Sequence, residues 1–282
     1  MLYLELMGGL GNQLFQIFTL ISYSIDHDMD YRIFEFKHDK VSPLDNVSIR
    51  NTYWTNLLHK LYEKTIKPQM ISVHGEIKDY DGRVLTDPGN KNNNYFFRGY
   101  YQSYHNFNNN LSKILDIINL EDTLTTIKNK TNYDYDNTIS LHFRIGDYVK
   151  IPDYHTILSI DYYRKCINNL IIDIGRDDWT ILYYYEEVNK DIIDKHINTL
   201  QSEFTNISFV SIDHKLEDWE QMLTMSLCKH NIIANSTFSW WGAYLNKNYN
   251  YVYYPNTWFG PDANMTKVPN MILDNWKEIE NK

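Results

Sequence analysis

LYLELMGGLGNQLFQIFTLISYSI, residues 2–25, decides how the chain begins. Leu2, Leu4 and Leu6 alternate with Tyr3 and Glu5, the two-residue period of a strand with one buried face. Beyond the glycines, Leu14, Phe18, Ile21 and Ile25 recur at helical spacing. The stretch therefore predicts strand, tight turn and helix, the opening of a parallel α/β unit. Gly9 and Gly11 make a G-x-G, and Glu35 stands about where a ribose-binding acid would, so a dinucleotide fingerprint is one reading. Position 14 is leucine where that fingerprint has its third glycine, and it would crowd the close helix–strand packing. Asn12 and Gln13, consecutive amides at the helix start, can donate and accept toward a hydroxyl-rich ligand. The plainer alternative is a turn whose glycines only reverse the chain.

Working outward, YRIFEF (31–36) reads as the next strand. Residues 41–95 are irregular, punctuated by Pro43, Pro68 and Pro88, and DPGNKNNN (87–94) is a loop. YFFRGYYQS (95–103) resumes a strand-like run, and LSKILDIINL (111–120) is amphipathic and helical. The polar run NKTNYDYDN (129–137) marks a break between domains 1–134 and 135–282. Strands then alternate with helices: TISLHFR, a helix near 161–173, WTILYYY, a helix near 187–198, ISFVSI, a helix near 216–228, NIIA, a helix from about Phe238, and YVYYP. That order predicts parallel sheets covered on both faces, in two α/β halves, with a last helix packing back on the first domain.

Bulk composition narrows the function classes. The net charge is −9, from 36 acidic and 27 basic side chains, which argues against a nucleic-acid surface or a polybasic membrane patch. Aromatic residues make up 15% of the chain, which suits carbohydrate stacking, although AT-biased coding explains so much Asn, Ile, Lys and Tyr better. Cys166 and Cys228 stand alone, far from any metal-ligand spacing, so a reduced cytosolic compartment is expected. The first residues are too short and too interrupted by Glu5 for a signal peptide, and no apolar run spans a membrane. The sequons at Asn46, Asn110 and Asn206 are therefore read as chance in a soluble cytoplasmic protein.

Two further segments carry chemistry. In ISLHFRIGDY (139–148), alternation sets His142 and Arg144 on one side of a strand, with Gly146 opening the loop at its carboxyl end. α/β folds bind ligands there, and a guanidinium suits bidentate pairing with phosphate, although an ion pair with Asp147 is an equal reading. In NIIANSTFSWWGAYL (231–245), a buried strand ends in Asn235, Ser236 and Thr237 before a helix, which makes an anion site or a plain cap. Two anion-suited elements in one half favour a pyrophosphate more than either does alone. D-x-D pairs at Asp26/Asp28, Asp79/Asp81 and Asp134/Asp136 have the spacing of metal-holding carboxylates, but coincidence is the better account in an Asp-rich chain.

These segments together resemble the α-1,2-fucosyltransferase family, glycosyltransferase family 11. The likeness runs over nearly the whole chain: GGLGNQLFQ, YFFRGYYQS, HFRIGDYV, DYY (161–163), CKHNIIANSTFSWWGAYL and YPNTWF (254–259). It implies two facing Rossmann-like domains of the GT-B type with the active site in the cleft between them. It further implies a GDP-fucose donor bound by the second half, a glycan acceptor met by the first, and neither metal nor cofactor. The reaction would be inverting, an acceptor hydroxyl, the 2-OH of a terminal galactose, attacking GDP-β-L-fucose. Arg144 would supply the cation for the departing diphosphate, and Asn235, Ser236, Thr237 and the helix N-terminus the donors. Gly9, Gly11, Asn12 and Gln13 would approach the donor from the first domain. His142 or Asp147 is a candidate base, though His142 equally orders the strand end and Asp147 equally orients Arg144.

The chain departs from that pattern at three places. Ile145 replaces a second arginine, Tyr184-Tyr185-Glu186-Glu187 replaces an F-S-D-D turn, and Gln221 replaces an acid, with Asp218 one turn earlier. The alternatives are a metal-dependent transferase with another nucleotide sugar, and an inactive glycan-binding homologue.

Overall fold

The computed structural model describes residues 1–35, 52–78, 85, 87–248, 251–263 and 271–281. The chain divides into two compact units: Met1–Thr123 with a short stretch ending at Ile272, and Leu124–Val268 with Leu273–Lys282. The helix Leu120–Lys130 runs through this division, and residue 134, where the polar run suggested a break, lies beyond its end.

In the first unit, β1 (Leu2–Glu5) turns through the glycines into α1 (Leu10–His27), and the chain returns as β2 (Tyr31–Phe34), parallel to β1. With β3 (Thr65–Ile66), β4 (Gly75–Lys78) and β5 (Tyr95–Arg98) these form a parallel sheet in the order β3-β2-β1-β5-β4. α1 is buried further round than its apolar stripe predicts, for Gln13, Gln16, Thr19 and Ser22 are at most 1% exposed. One side of the helix faces the sheet and the other is covered by residues 104–117, whose Phe107 packs edge-on to Phe18 at 5.6 Å. Asn110 then donates to Ser22 Oγ at 3.0 Å and to Asp26 Oδ1 at 2.7 Å, which lets this polar side go under. The single helix expected over 111–120 is two, α2 (Leu111–Ile117) and α3 (Leu120–Lys130). Asn119 breaks it at φ 56°, a left-handed conformation that asparagine tolerates.

The second unit follows its predicted alternation: β6 (Thr138–His142), α4 (Ile160–Ile174), β7 (Thr180–Tyr184), α5 (Lys190–Glu203), β8 (Ser208–Ser211), α6 (Asp218–Leu227), β9 (His230–Ile232), α7 (Thr237–Tyr244) and β10 (Val252–Pro255). The expected last helix is a strand instead: β11 (Lys277–Ile279) pairs in parallel with β10 at the sheet edge. Three residues of mixed charge carry no period, so only the pairing partner decides their conformation. The sheet order β8-β7-β6-β9-β10-β11 is the doubly wound order 3-2-1-4-5-6. Its core sets Ile139 and Leu141 of the first strand, and Phe143 just beyond it, against Tyr162, Tyr163, Cys166 and Ile167 of α4. Cys166 and Cys228 are both free and buried, and among the described residues no helix is long and apolar enough to cross a membrane.

Candidate active site

In a doubly wound sheet the order reverses between the first and fourth strands, and the crevice beyond their carboxyl ends is where ligands bind. Here those strands are β6 and β9, which pair directly. The HFRIGDY and NSTFSWW segments, about ninety residues apart, therefore leave the sheet side by side. Two adjacent tyrosines of α4 fix that spot from below: Tyr163 Oη donates to the His142 carbonyl at 3.1 Å, and Tyr162 Oη to the Ile233 carbonyl at 2.6 Å. Both are fully buried, so DYY acts as a clamp on the two strand ends.

Arg144 leaves β6 toward solvent with its side chain 16% exposed. One terminal nitrogen pairs with Asp147, three residues on, and the other with Glu186, just past β7. The guanidinium lies over the Tyr148 ring, 4.5 Å from its centroid, and His155 stacks on that ring at 4.3 Å. Tyr148 Oη also donates to the Asn235 carbonyl at 3.0 Å, tying the arginine's platform to the turn after β9. Gly146, at φ +35°, passes so close beneath Glu186 and Arg144 that a Cβ there would strike both. Its N–H donates to Asn189 Oδ1 at 2.9 Å, fastening this loop to the β7 turn. Ile145, in contrast, is 6% exposed within the apolar core, a position where a second arginine would be buried.

The turn after β9 divides the labour among its residues. Ser236 caps α7, its Oγ accepting from the Phe238 N–H at 3.3 Å. Thr237 is the half-buried first residue of the helix. Asn235 is 1% exposed, and its Nδ2 donates to the carbonyls of Thr156 and Trp258 at 2.8 and 2.9 Å. Through Nδ2 it therefore braces the neighbouring loops and ties YPNTWF to this turn. His142 is 7% exposed, its ring 5.5 Å from that of Phe238, and its Nδ1 has no partner among the described residues. Burial, aided by the Arg144 charge, pushes its pKa down to about 3. Such a group takes up almost no proton near neutrality, so His142 stands as a neutral imidazole at the strand end. Asp147, 20% exposed and paired with Arg144, stands as the orienter of the guanidinium.

The first unit has its own switch point, between β1 and β5, and it gathers the other predicted residues. Gly8, at φ +76°, has no room for a Cβ, which would lie 2.6 Å from Asn12 Nδ2. Asn12 Oδ1 accepts from Gln102 Nε2 at 2.9 Å, so GGLGNQLFQ and YFFRGYYQS meet as an amide pair. Gln13 is fully buried, and its Nε2 donates to the Gly8 carbonyl at 3.0 Å. Gln16 accepts from the Met7 N–H at 3.0 Å and donates to the carbonyls of Met7 and Asn12 at 2.8 and 2.9 Å. Gly9 is the extended residue before α1 and Gly11 lies buried in its first turn.

Of the D-x-D pairs, Asp26 accepts from Asn110, Asp28 ends α1 at φ 52°, and Asp134 and Asp136 belong to the turn before β6. Asp79 and Asp81 lie outside the described residues, as do Asn46 and Pro43. Gln221 spends its amide on the Leu216 carbonyl at 2.9 Å, within its own helix start.

Residues 1–280 match the sequence pattern of Glycosyl transferase family 11. The chain belongs to that family. Within reach of it lies an α-1,2-colitosyltransferase of Escherichia coli, 28% identical over 290 residues that span 90% of this chain and 91% of that protein. The O-antigen biosynthesis glycosyltransferase WbnK of Escherichia coli is 33% identical over 174 residues, 57% of this chain and 50% of its own length. Among solved structures, Escherichia coli ADP-heptose LPS heptosyltransferase II aligns over 99% of this chain and 90% of its own, at 10% identity and a TM-score of 0.49. For this member of the family, sequence reasoning passed over Gln16, Gln102 and Tyr148. Gln16 and Gln102 stood inside quoted segments, but which amide holds which carbonyl depends on the packing of α1 against β5.

Proposed function

We propose that this protein transfers L-fucose from GDP-β-L-fucose, with inversion, to the 2-OH of a terminal galactose on a glycan acceptor, without a metal ion. The observation that carries the reading is the pairing of β6 with β9 at the switch point, with Tyr148, under the Arg144 guanidinium, hydrogen-bonded to the Asn235 carbonyl just before the Ser236-capped α7. Fucosyl transfer builds oxocarbenium character on the sugar while negative charge grows on the departing diphosphate. A fixed cation and the free N–H groups of a helix start meet that charge where it appears. Asp147 and the Tyr148 ring hold the guanidinium in one pose, so little reorganisation accompanies bond breaking.

A second donor is favoured by one observation: the relative that spans most of this chain is a colitosyltransferase. Colitose is L-fucose without its 3-hydroxyl, so the two readings differ in one polar contact to the sugar and share the diphosphate site. Thermal-shift titration with GDP, UDP, ADP and NAD tests the shared part. A nucleotide at about 100 times its Kd adds about 2.7 kcal/mol of stability, and that shift is expected for GDP. A shift with UDP or NAD and none with GDP overturns the assignment. Comparing GDP-fucose with GDP-colitose as donors separates the two sugars, and turnover unchanged by EDTA is expected for a metal-free mechanism.

A further inference from the structure

Arg144 is the residue the reaction needs, yet its fork is already filled. Both terminal nitrogens face carboxylates, Asp147 on one side and Glu186 on the other. A carboxylate and a phosphate ask the same of a guanidinium, two oxygens against two parallel N–H groups. Each terminal nitrogen carries a second N–H, but a diphosphate that takes the N–H groups these carboxylates hold must displace one of them.

The two carboxylates are not equivalent. Asp147 belongs to the same turn as Arg144, three residues on, and is 20% exposed. Glu186 comes from the separate turn past β7 and is 50% exposed, so it gives up little when it returns to water. Gly146 has no side chain to wall it off, and the Gly146–Asn189 hydrogen bond keeps the two turns together whether or not Glu186 is engaged.

We propose that Glu186 makes an autoinhibitory contact, occupying on Arg144 the place of a donor phosphate. A nucleoside diphosphate binds by displacing it, and Glu186 re-pairs with Arg144 when the product leaves. The acid thus weakens the hold on every diphosphate by a constant factor and turns away anions too weak to replace it. Asp147 stays in place throughout and keeps the guanidinium aimed. This rests on the reading of Arg144 as a diphosphate-binding group in a nucleotide-sugar transferase.

Calorimetric titration of GDP, UDP and ADP into the wild-type protein, Glu186→Gln and the double variant Arg144→Ala/Glu186→Gln tests it. Glu186→Gln keeps the shape and removes the charge of a half-exposed side chain, and a far-UV spectrum checks the fold. The nucleotide that binds wild type is expected to bind Glu186→Gln about fivefold tighter, and the gain should vanish without Arg144. Equal or weaker binding by Glu186→Gln overturns the inference and leaves the transferase reading standing. So does a gain that survives the loss of Arg144, since Glu186 would then act elsewhere. If none of the three nucleotides binds wild type or Glu186→Gln, the inference and the transferase reading fall together.

Discussion

The two units solve one problem with different chemistry. In each, the first strand of a parallel sheet ends in a turn whose positive-φ glycine, Gly8 or Gly146, lies under a polar side chain that a Cβ would hit. In the first unit that side chain is the amide of Asn12, and its surroundings are other amides: Gln13, Gln16 and Gln102. In the second it is the guanidinium of Arg144, surrounded by two carboxylates and an aromatic ring. A neutral turn suits hydroxyls, which need donors and acceptors but no net charge. A cationic turn suits a leaving group that gains charge during the reaction. On the proposed function, the difference favours the second unit as the one that meets the diphosphate.

The largest expected effect separates the two turns directly. Arg144→Ala is expected to lower kcat by about 10²–10³, the loss of about 3–4 kcal/mol of transition-state stabilisation for a group aimed at developing charge. Asn12→Ala, which removes one neutral hydrogen-bonding group, is expected to cost only about tenfold. Transfer rates of the two variants, with melting curves to confirm the fold, check the ranking. Equal losses would erase the distinction between a charged and a neutral turn.

Stability should rank the turns the other way. Gln16 is fully buried and satisfies the N–H and carbonyl of Met7 and the carbonyl of Asn12. Gln16→Leu keeps most of the volume but leaves the Met7 N–H and carbonyl without that partner, for a cost of about 2–3 kcal/mol. The arginine's partners are partly exposed, and water takes them over in Arg144→Ala at small cost. Denaturant midpoints at constant m-value read this contrast, and a Gln16→Leu midpoint close to wild type would mean that the glycines hold the turn unaided.

How much of this could be read from sequence differs between the same two regions. The second unit repeats strand and helix with clear periods, so its elements stood out, and adjacent strands in a doubly wound sheet bring HFRIGDY to NSTFSWW without further information. What stayed hidden were the side-chain partners: a lone Glu186 past β7 carries no sign that it will fold onto Arg144. The partners of Asn235 were hidden for the same reason: nothing in the turn's sequence tells that its Nδ2 will hold the carbonyls of Thr156 and Trp258. In the first unit α1 was legible from its apolar stripe, but its polar side is packed against residues 104–117. Helical periodicity tells which face is apolar, and it is silent on whether a second layer covers the other face. The edge strand Lys277–Ile279 was missed because three residues give no period to read.

The smallest effect tests whether the end of β6 is dry. His142 is held neutral by burial and by the Arg144 charge, its pKa pushed down to about 3, whereas in the unfolded chain it titrates near 6.5. As pH falls below about 6.5 the unfolded chain takes up a proton that the folded one refuses, so stability drops from there toward the folded pKa. His230, pushed down to about 4 by burial and then by Lys229, adds a second proton to that slope, and burial lowers His155 and His196 in the same sense. The informative quantity is therefore the difference between wild type and His142→Gln, in which the other histidines cancel. Between pH 7.5 and 5.5 the variant is expected to lose about 1 kcal/mol less stability than wild type, measured from urea unfolding at both values. Parallel pH curves for the two proteins would place His142 in contact with water.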